Sequence, residues 1–474
     1  MNVKVLVEIE SIREQVPRCI ELARRAGAVL PCSFLYPAIH WWNHFNSRDG
    51  SAFWKKRGKN FLGRQSTLEQ LFLFMAEEDG VLCAVAPFVS YRVRPAGGQE
   101  LRILGYAGDP VLMPCQDITV DPSRRRPVLR VFIERLVKLY QDEGFDLLIL
   151  DNQLDTSQNV PVIRDFFANF QNKQVVVRET VTSMRGGVRP WTIRQLSRRV
   201  RKLADVAANE GVAIGGIEDF SARLSACAPL KLLFPVTRKG LEKELQQILA
   251  RCRTYEALAG SLAAVENLLH DRPICYPYIS LPRDHEAFLA ALSRSTRYYY
   301  RRYMKSFREA GGTFETVSGR DISKEDIQDY LHLHQVRWGR ESMFVCGDDS
   351  YAFHVDLVKA MAGEGLFSLF FARFAGKRVA VLSSFDIHPR RECYFTGMDP
   401  EYRETRAGRL LWLYSIYDAI DNGYETYDLG PGDFGYKMSF ATGEAQSHNF
   451  LVTRNDSLLD LDAIFAGYEC MVPV

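Results

Sequence analysis

Residues 402–420, YRETRAGRLLWLYSIYDAI, set Arg403, Arg406 and Arg409 around an Ala407-Gly408 pair, at the point where an apolar run with helical spacing begins. A helix start leaves backbone N–H groups unpaired at the positive end of the dipole. Anions bind there readily, above all where glycine lets the backbone come close. Thr405 is placed to cap the first turn, Gly408 keeps that turn open, and the three guanidinium groups can each fork hydrogen bonds onto a phosphate. A pyrophosphate suits the arrangement. A solvated arginine loop, with Gly408 serving only close packing, is the alternative.

A second cluster lies upstream. Arg294, Arg297, Arg301, Arg302, Lys305 and Arg308 alternate with Tyr298, Tyr299, Tyr300 and Tyr303, with no acid among them. Stacking on tyrosine and phosphate contacts from arginine suit tRNA or another polyanion; an amphipathic helix with packed tyrosines and wet cations is the simpler account. HWWNH puts His40 and His44 four residues apart, a zinc-compatible spacing on a helix. No Glu follows the first His and no third ligand is evident, so a packed aromatic cluster and no metal are expected.

The elements that must position these groups are clearest from about 277 to 454. A helix over 285–310 closes on Gly311-Gly312, and TFETV (313–317) is a strand. Helices follow over 324–338 and 351–362. Three strands then form a meander over 366–374, 379–387 and 392–398. Next come the helix quoted above, ended at Asn422-Gly423, a strand over 425–429, a short helical stretch after Gly432 and a strand near HNFLVTR. The order is βααβββαβαβ. The first half echoes it: LFLFMAEE turns at Asp79-Gly80 into VLCAVAPFVSYRV, a helix spans 123–143, and FDLLILDN is a strand whose Asp151-Asn152 end could reach a cleft between domains.

At 474 residues and 47% hydrophobic content, the chain exceeds what one core usually serves, so two domains are expected. These are 1–186 and 277–474, joined by a helical insertion or linker over 187–276 that carries the basic run RQLSRRVRK. Sixty Lys and Arg against 58 Asp and Glu leave a net charge of +2, so electrostatic recognition must be local. The start of the chain has acids inside a short apolar run, and no segment reaches the roughly 18 apolar residues of a membrane span; a cytoplasmic protein without a membrane span is expected. Ten cysteines with no CxxC pair argue against a zinc ribbon or a disulfide scaffold.

The phosphate-loop candidate after the last meander strand resembles the GNAT superfamily of N-acyltransferases, whose loop follows R/Q-x-x-G-x-G/A. Arg403 matches the first position and Gly408 the last, while Arg406 stands where the first glycine belongs. The series SRSTRYYYRRYMKSFREAGGTFE, LHLHQVRW, AVLSSFDI, YFTGMDPEYRETRAGRLLW and YDLGPGDFGYKMSF is similar to the CelD-like branch, associated with exopolysaccharide or cellulose biosynthesis. That branch is in turn similar to Fem-type peptidyltransferases with two GNAT units in tandem.

The resemblance implies an α/β (α+β) fold of tandem GNAT-like domains, each a mixed, mainly antiparallel sheet flanked by helices. It implies that Arg403, Arg406, Ala407, Gly408 and Arg409 hold the pyrophosphate of acetyl-CoA or another acyl-CoA, and that the pantetheine arm lies along the strand carrying Gly397. It also implies that Tyr436 protonates the leaving thiolate, with Asp433 as proton acceptor and Lys437 holding a substrate anion. Asp386, Asp399 and Asp428 are rivals for the base, Asp399 being better suited to an Asx-type turn before Pro400. Arg337 and Trp338 would border the acceptor. Three functions follow: acyl transfer from acyl-CoA to an amine of a sugar or biosynthetic intermediate; transfer from aminoacyl-tRNA, with Arg297, Arg301, Arg302 and Lys305 on the RNA; or a non-catalytic binding module.

Overall fold

The computed structural model describes residues 1–28, 30–46, 66–93, 100–108, 115–170, 175–181, 183–184, 272–273, 275–339, 342, 348–432 and 435–454. Asp433, the run RQLSRRVRK and all but the last residues of 187–276 lie outside these. The described end of that segment is strand.

The first half opens with β1 (Asn2–Leu6) and helices α1 (Ile9–Glu14), α2 (Val16–Arg25) and α3 (Tyr36–Phe45). Strands β2 (Ser66–Glu78), β3 (Val81–Val93), β4 (Leu101–Tyr106) and the short β5 (Thr119–Val120) follow, then α4 (Arg125–Asp142), β6 (Leu147–Leu154), α5 (Asn159–Ala168), β7 (Val175–Val181) and β8 (Ser183–Met184). The second half has β9 (Arg272–Pro273), β10 (Cys275–Ser280), α6 (His285–Ala291), α7 (Arg294–Glu309), β11 (Thr313–Ser318), α8 (Lys324–Trp338) and α9 (Asp348–Gly363). The meander β12 (Phe367–Phe374), β13 (Lys377–Ile387) and β14 (Arg390–Met398) leads to α10 (Ala407–Asp421), β15 (Thr426–Asp428), α11 (Gly435–Met438) and β16 (Gly443–Arg454).

All but β8 and β9, which pair with each other, join into one mixed sheet in the order β1-β2-β3-β4-β6-β16-β10-β15-β14-β13-β12-β11, with β5 on β3 and β7 on β16 off this path. Its ladders are antiparallel except β4 with β6 and β14 with β15. Each parallel pair follows a helical crossover, α4 in one half and α10 in the other, because parallel neighbours cannot be joined by a tight turn. The two halves therefore repeat one plan, an antiparallel meander followed by a helix and a parallel strand. They are stitched together by β16, whose first residues pair with β10 and whose remainder runs between β6 and β7.

One face of the sheet carries a continuous apolar core under α1–α3, α8 and α9, spanning both halves. The opposite face has two cores, one under α4 and α5 and one under α6, α7 and α10. The single helix expected over 285–310 is two. Leu292 is extended and the Ser293 side chain accepts from Thr296 N–H, which starts α7 afresh. Helix α8 begins with a capping box between Ser323 and Asp326, and Asp326 also holds Arg378 of β13 at 2.7 Å, which ties the helix to the sheet. Among the described residues no helix is long and apolar enough to cross a membrane.

Candidate functional site

Strand β14 pairs with β15 only through Arg390–Glu392 against Thr426–Asp428. Beyond Glu392 the two strands part, and among the described residues the rest of β14 pairs with β13 alone. At the bulge in β13, Phe395 N–H donates to Ser383 Oγ at 3.1 Å, and that hydroxyl donates back to Phe395 O at 3.2 Å. Both Phe395 polar groups thus face β13, so by the alternation of a pleated strand those of Thr396 face the opening. Thr396 O accepts a hydrogen bond from Trp338 Nε1 at 3.1 Å. Gly397, expected beside the donor arm, has another duty: a Cβ there would sit 2.4 Å from His334 N and 2.5 Å from Leu333 C. Only glycine lets α8 lie this close to β14.

The loop ending at α10 is held from within. Asp399 Oδ1 accepts from Glu401 N–H at 2.9 Å, the Asx-type turn expected of it. Thr405 is not the helix cap. Its hydroxyl donates to Tyr402 O at 2.6 Å and accepts from Ala407 N–H at 3.2 Å, while Arg406 takes the cap position with φ 60°. That left-handed step, which the family pattern gives to glycine, costs a residue with a Cβ about 1–2 kcal/mol. Arg406 offsets it with its side chain. The guanidinium lies 4.2 Å from the Tyr303 ring centroid and 5.6 Å from that of Tyr299, and donates to Tyr299 Oη at 3.4 Å. Arg409 reaches the same Tyr299 ring at 5.7 Å, and its N–H donates to Arg406 O at 2.9 Å. Arg403 is exposed. A Cβ on Gly408 would stand 3.1 Å from Met398 Sδ, so this glycine serves close packing as well as an open first turn. The helix start is cationic, and the amides of Ala407 and Arg409 are engaged inside the protein.

Tyr436 flanks the opening from α11, its ring 5.6 Å from Trp412 of α10. Burial and the neighbouring Cys393 raise its phenol well above the ordinary value, Arg337 and Arg409 opposing, so it stays protonated. Arg337 is open to solvent yet densely surrounded, as a side chain at the mouth of a cleft is. Burial lowers its pKa, the nearby Arg403 adding to this and Tyr436 opposing. Its guanidinium lies 5.0 Å over the Trp338 ring. Lys437, expected to hold a substrate anion, is buried and donates to Pro431 O at 2.9 Å and Gly430 O at 3.2 Å, bracing the turn after β15. Asp386 is clamped by Arg391 at 2.8 and 2.9 Å, beneath the sheet's own side chains rather than in the opening.

Sequence reasoning missed Glu392. It is the last residue of β14 paired to β15, directly opposite Asp428. It is buried, with Oε2 without a hydrogen-bond partner among the described residues. Burial and the Asp428 carboxylate push its pKa up to about 8, against the pull of Arg390. Asp428 itself is paired with Arg390 and accepts from Gly430 N–H at 2.7 Å. Two carboxyl groups in one dry place cannot both ionise cheaply, so one stays protonated. The signal was available: Glu392 is an acid in a strand whose next residues are largely apolar, obscured by the arginines before it.

On α7, Tyr300 and Phe307 are buried while Tyr298 is 63% exposed. Arg301 pairs with Glu286 at 3.0 Å, Lys305 with Glu309 at 3.7 Å, and Arg302 lies 5.6 Å over Tyr303. Arg297 is half-buried. His44 pairs with Asp356 at 2.9 Å and His40 stacks on Tyr36, with Trp41 and Trp42 buried between.

An antiparallel meander, a crossover helix with a cationic start and a splayed parallel pair make up the arrangement. Residues 294–438 match the family model described as Acetyltransferase (GNAT) domain. That stretch is therefore similar to the GNAT acetyltransferase domain. No curated protein matches the chain. Solved structures similar to it include a conserved protein of unknown function from Bacteroides thetaiotaomicron (11% identity, 94% of this chain and 99% of that one, TM-score 0.43), FemX (9%, 82% and 90%, 0.41) and a tandem GNAT protein from the clavulanic acid biosynthesis pathway (10%, 96% and 99%, 0.36).

Proposed function

We propose that the chain transfers an acyl group from acyl-CoA to an amine, with the acceptor on an amino sugar or biosynthetic intermediate of the kind the CelD-like resemblance suggests. One observation carries the reading: the open edge of β14 runs straight into the cationic start of α10, so a diphosphate at Arg403, Gly408 and Arg409 would lead an attached chain into the splay beside Tyr436. The amine attacks the thioester carbonyl, the C–S bond breaks, and Tyr436 gives its proton to the departing thiolate. Glu392, once deprotonated, accepts the proton the amine releases; its pKa near 8 lies close to that of an ammonium poised to react. The first half, whose corresponding helix start carries the carboxylate of Asp121 accepting from Ser123 N–H at 3.0 Å, shapes the acceptor side and binds no donor.

Thiol release from acetyl-CoA on adding glucosamine and other amines tests this. A second reading, transfer from aminoacyl-tRNA, is favoured by the exposed Tyr298 among the α7 cations. Salt-sensitive retention of tRNA, with no thiol release for any amine, would select it.

A further inference from the structure

We propose that Trp338 is the gate of the donor groove: its indole covers the open edge of β14 until the donor's chain displaces it. This rests on the acyl-CoA reading above. Thr396 O is a backbone acceptor in an unpaired stretch of strand, where a polar group needs a partner. The Trp338 N–H supplies one at 3.1 Å. A carbonyl has a second lone pair, yet a donor N–H prefers to lie near the carbonyl plane, so the indole stands in the path of any extended chain laid along this edge. An amide N–H in such a chain would donate to the same acceptor, and the indole, which can only donate, competes with it there.

The surroundings suit a swinging side chain on a fixed base. Helix α8 lies directly against β14 at Gly397, where no side chain would fit, and Asp326 ties its start to Arg378 of β13 at 2.7 Å, so the base of the indole is anchored to the sheet. Trp338 is its last residue, followed by Gly339 at φ 53°. The indole is half-buried, with Arg337 over its face at 5.0 Å and His334 at 6.1 Å, leaving a solvent side into which it can turn. The gate separates two parts of one ligand. The diphosphate end meets the arginines at the start of α10 and owes nothing to Trp338; the amide-bearing arm must remove it.

The test compares CoA with adenosine 3′,5′-bisphosphate, which carries phosphates and no arm, by calorimetric titration of wild type and Trp338→Phe. Phenylalanine keeps the ring and lacks the N–H. CoA is expected to bind the variant about fivefold more tightly, the ordinary net worth of one neutral hydrogen bond, with bisphosphate affinity unchanged. CoA should also change the tryptophan emission of wild type, and that change should be lost in the variant. Trp338→Leu, checked for an intact melting transition, should tighten CoA binding likewise. Wild type that binds CoA with neither variant binding it more tightly, or both ligands shifting together, overturns the gate and leaves the donor reading standing. If wild type and both variants fail to bind CoA at all, the donor reading fails and the gate goes with it.

Discussion

Replacing Glu392 by Gln should make the protein less sensitive to alkali. In the unfolded chain this carboxyl ionises near 4.5; in the folded protein burial and Asp428 hold it protonated up to about 8. Because the folded-state value is the higher one, the folded protein binds the proton more tightly. The associated stability is complete below 4.5, falls as pH rises, and levels off above about 8. Each unit in that window removes ~1.4 kcal/mol, so at pH 7 wild type has lost ~3 kcal/mol relative to a side chain that cannot ionise. Glutamine keeps the shape and removes the titration. Urea unfolding followed by circular dichroism at pH 5, 6, 7 and 8 should show the variant gaining on wild type by roughly 1 kcal/mol per unit, then running parallel above 8. Two curves that stay parallel from pH 5 to 8 would refute the claim that Glu392 is held neutral. In an acyl-transfer assay wild-type turnover should rise with pH towards about 8, and the variant's should lose that limb.

Gly397→Ala should destabilise by ~3 kcal/mol or more, since the added carbon meets the backbone of α8, which has no rotamer to give; a urea midpoint within error of wild type would contradict this. At position 406 the ordinary helix ranking should invert, with Arg406→Gly more stable than Arg406→Ala by ~1 kcal/mol, because only alanine keeps the left-handed strain after the tyrosine contacts are lost; thermal melts of the pair decide. Tyr436→Phe should lower kcat by about 10²–10⁴ with little change in KM for acetyl-CoA, as loss of a general acid does.

What could be read from the chain was what local pattern encodes. The meander stood out because β12, β13 and β14 are short, largely apolar runs between tight turns. The break at Leu292-Ser293 was missed, although Ser293 carries a capping signal, because the apolar spacing runs on across it. Strand β16 was only half seen. Its pairing with β6 and β10, which fuses the two halves into one sheet, depends on partners hundreds of residues away. The site divides along the same line. Arg403, Gly408 and Arg409 mark a cationic helix start by composition alone. The capture of Lys437 by two carbonyls, the clamping of Asp386 by Arg391, the stacking of Arg406 on α7 and the burial of Glu392 against Asp428 are tertiary facts.

The account depends on the start of α10 being a diphosphate cradle, and calorimetric titration of acetyl-CoA into wild type and Arg409→Glu tests that most directly. The expected result is saturable binding at one site per chain, weakened by about ten- to a hundredfold when the charge at 409 is reversed, the worth of a charged hydrogen bond. Absence of saturable heat with wild type, or equal affinity in the two proteins, would contradict it.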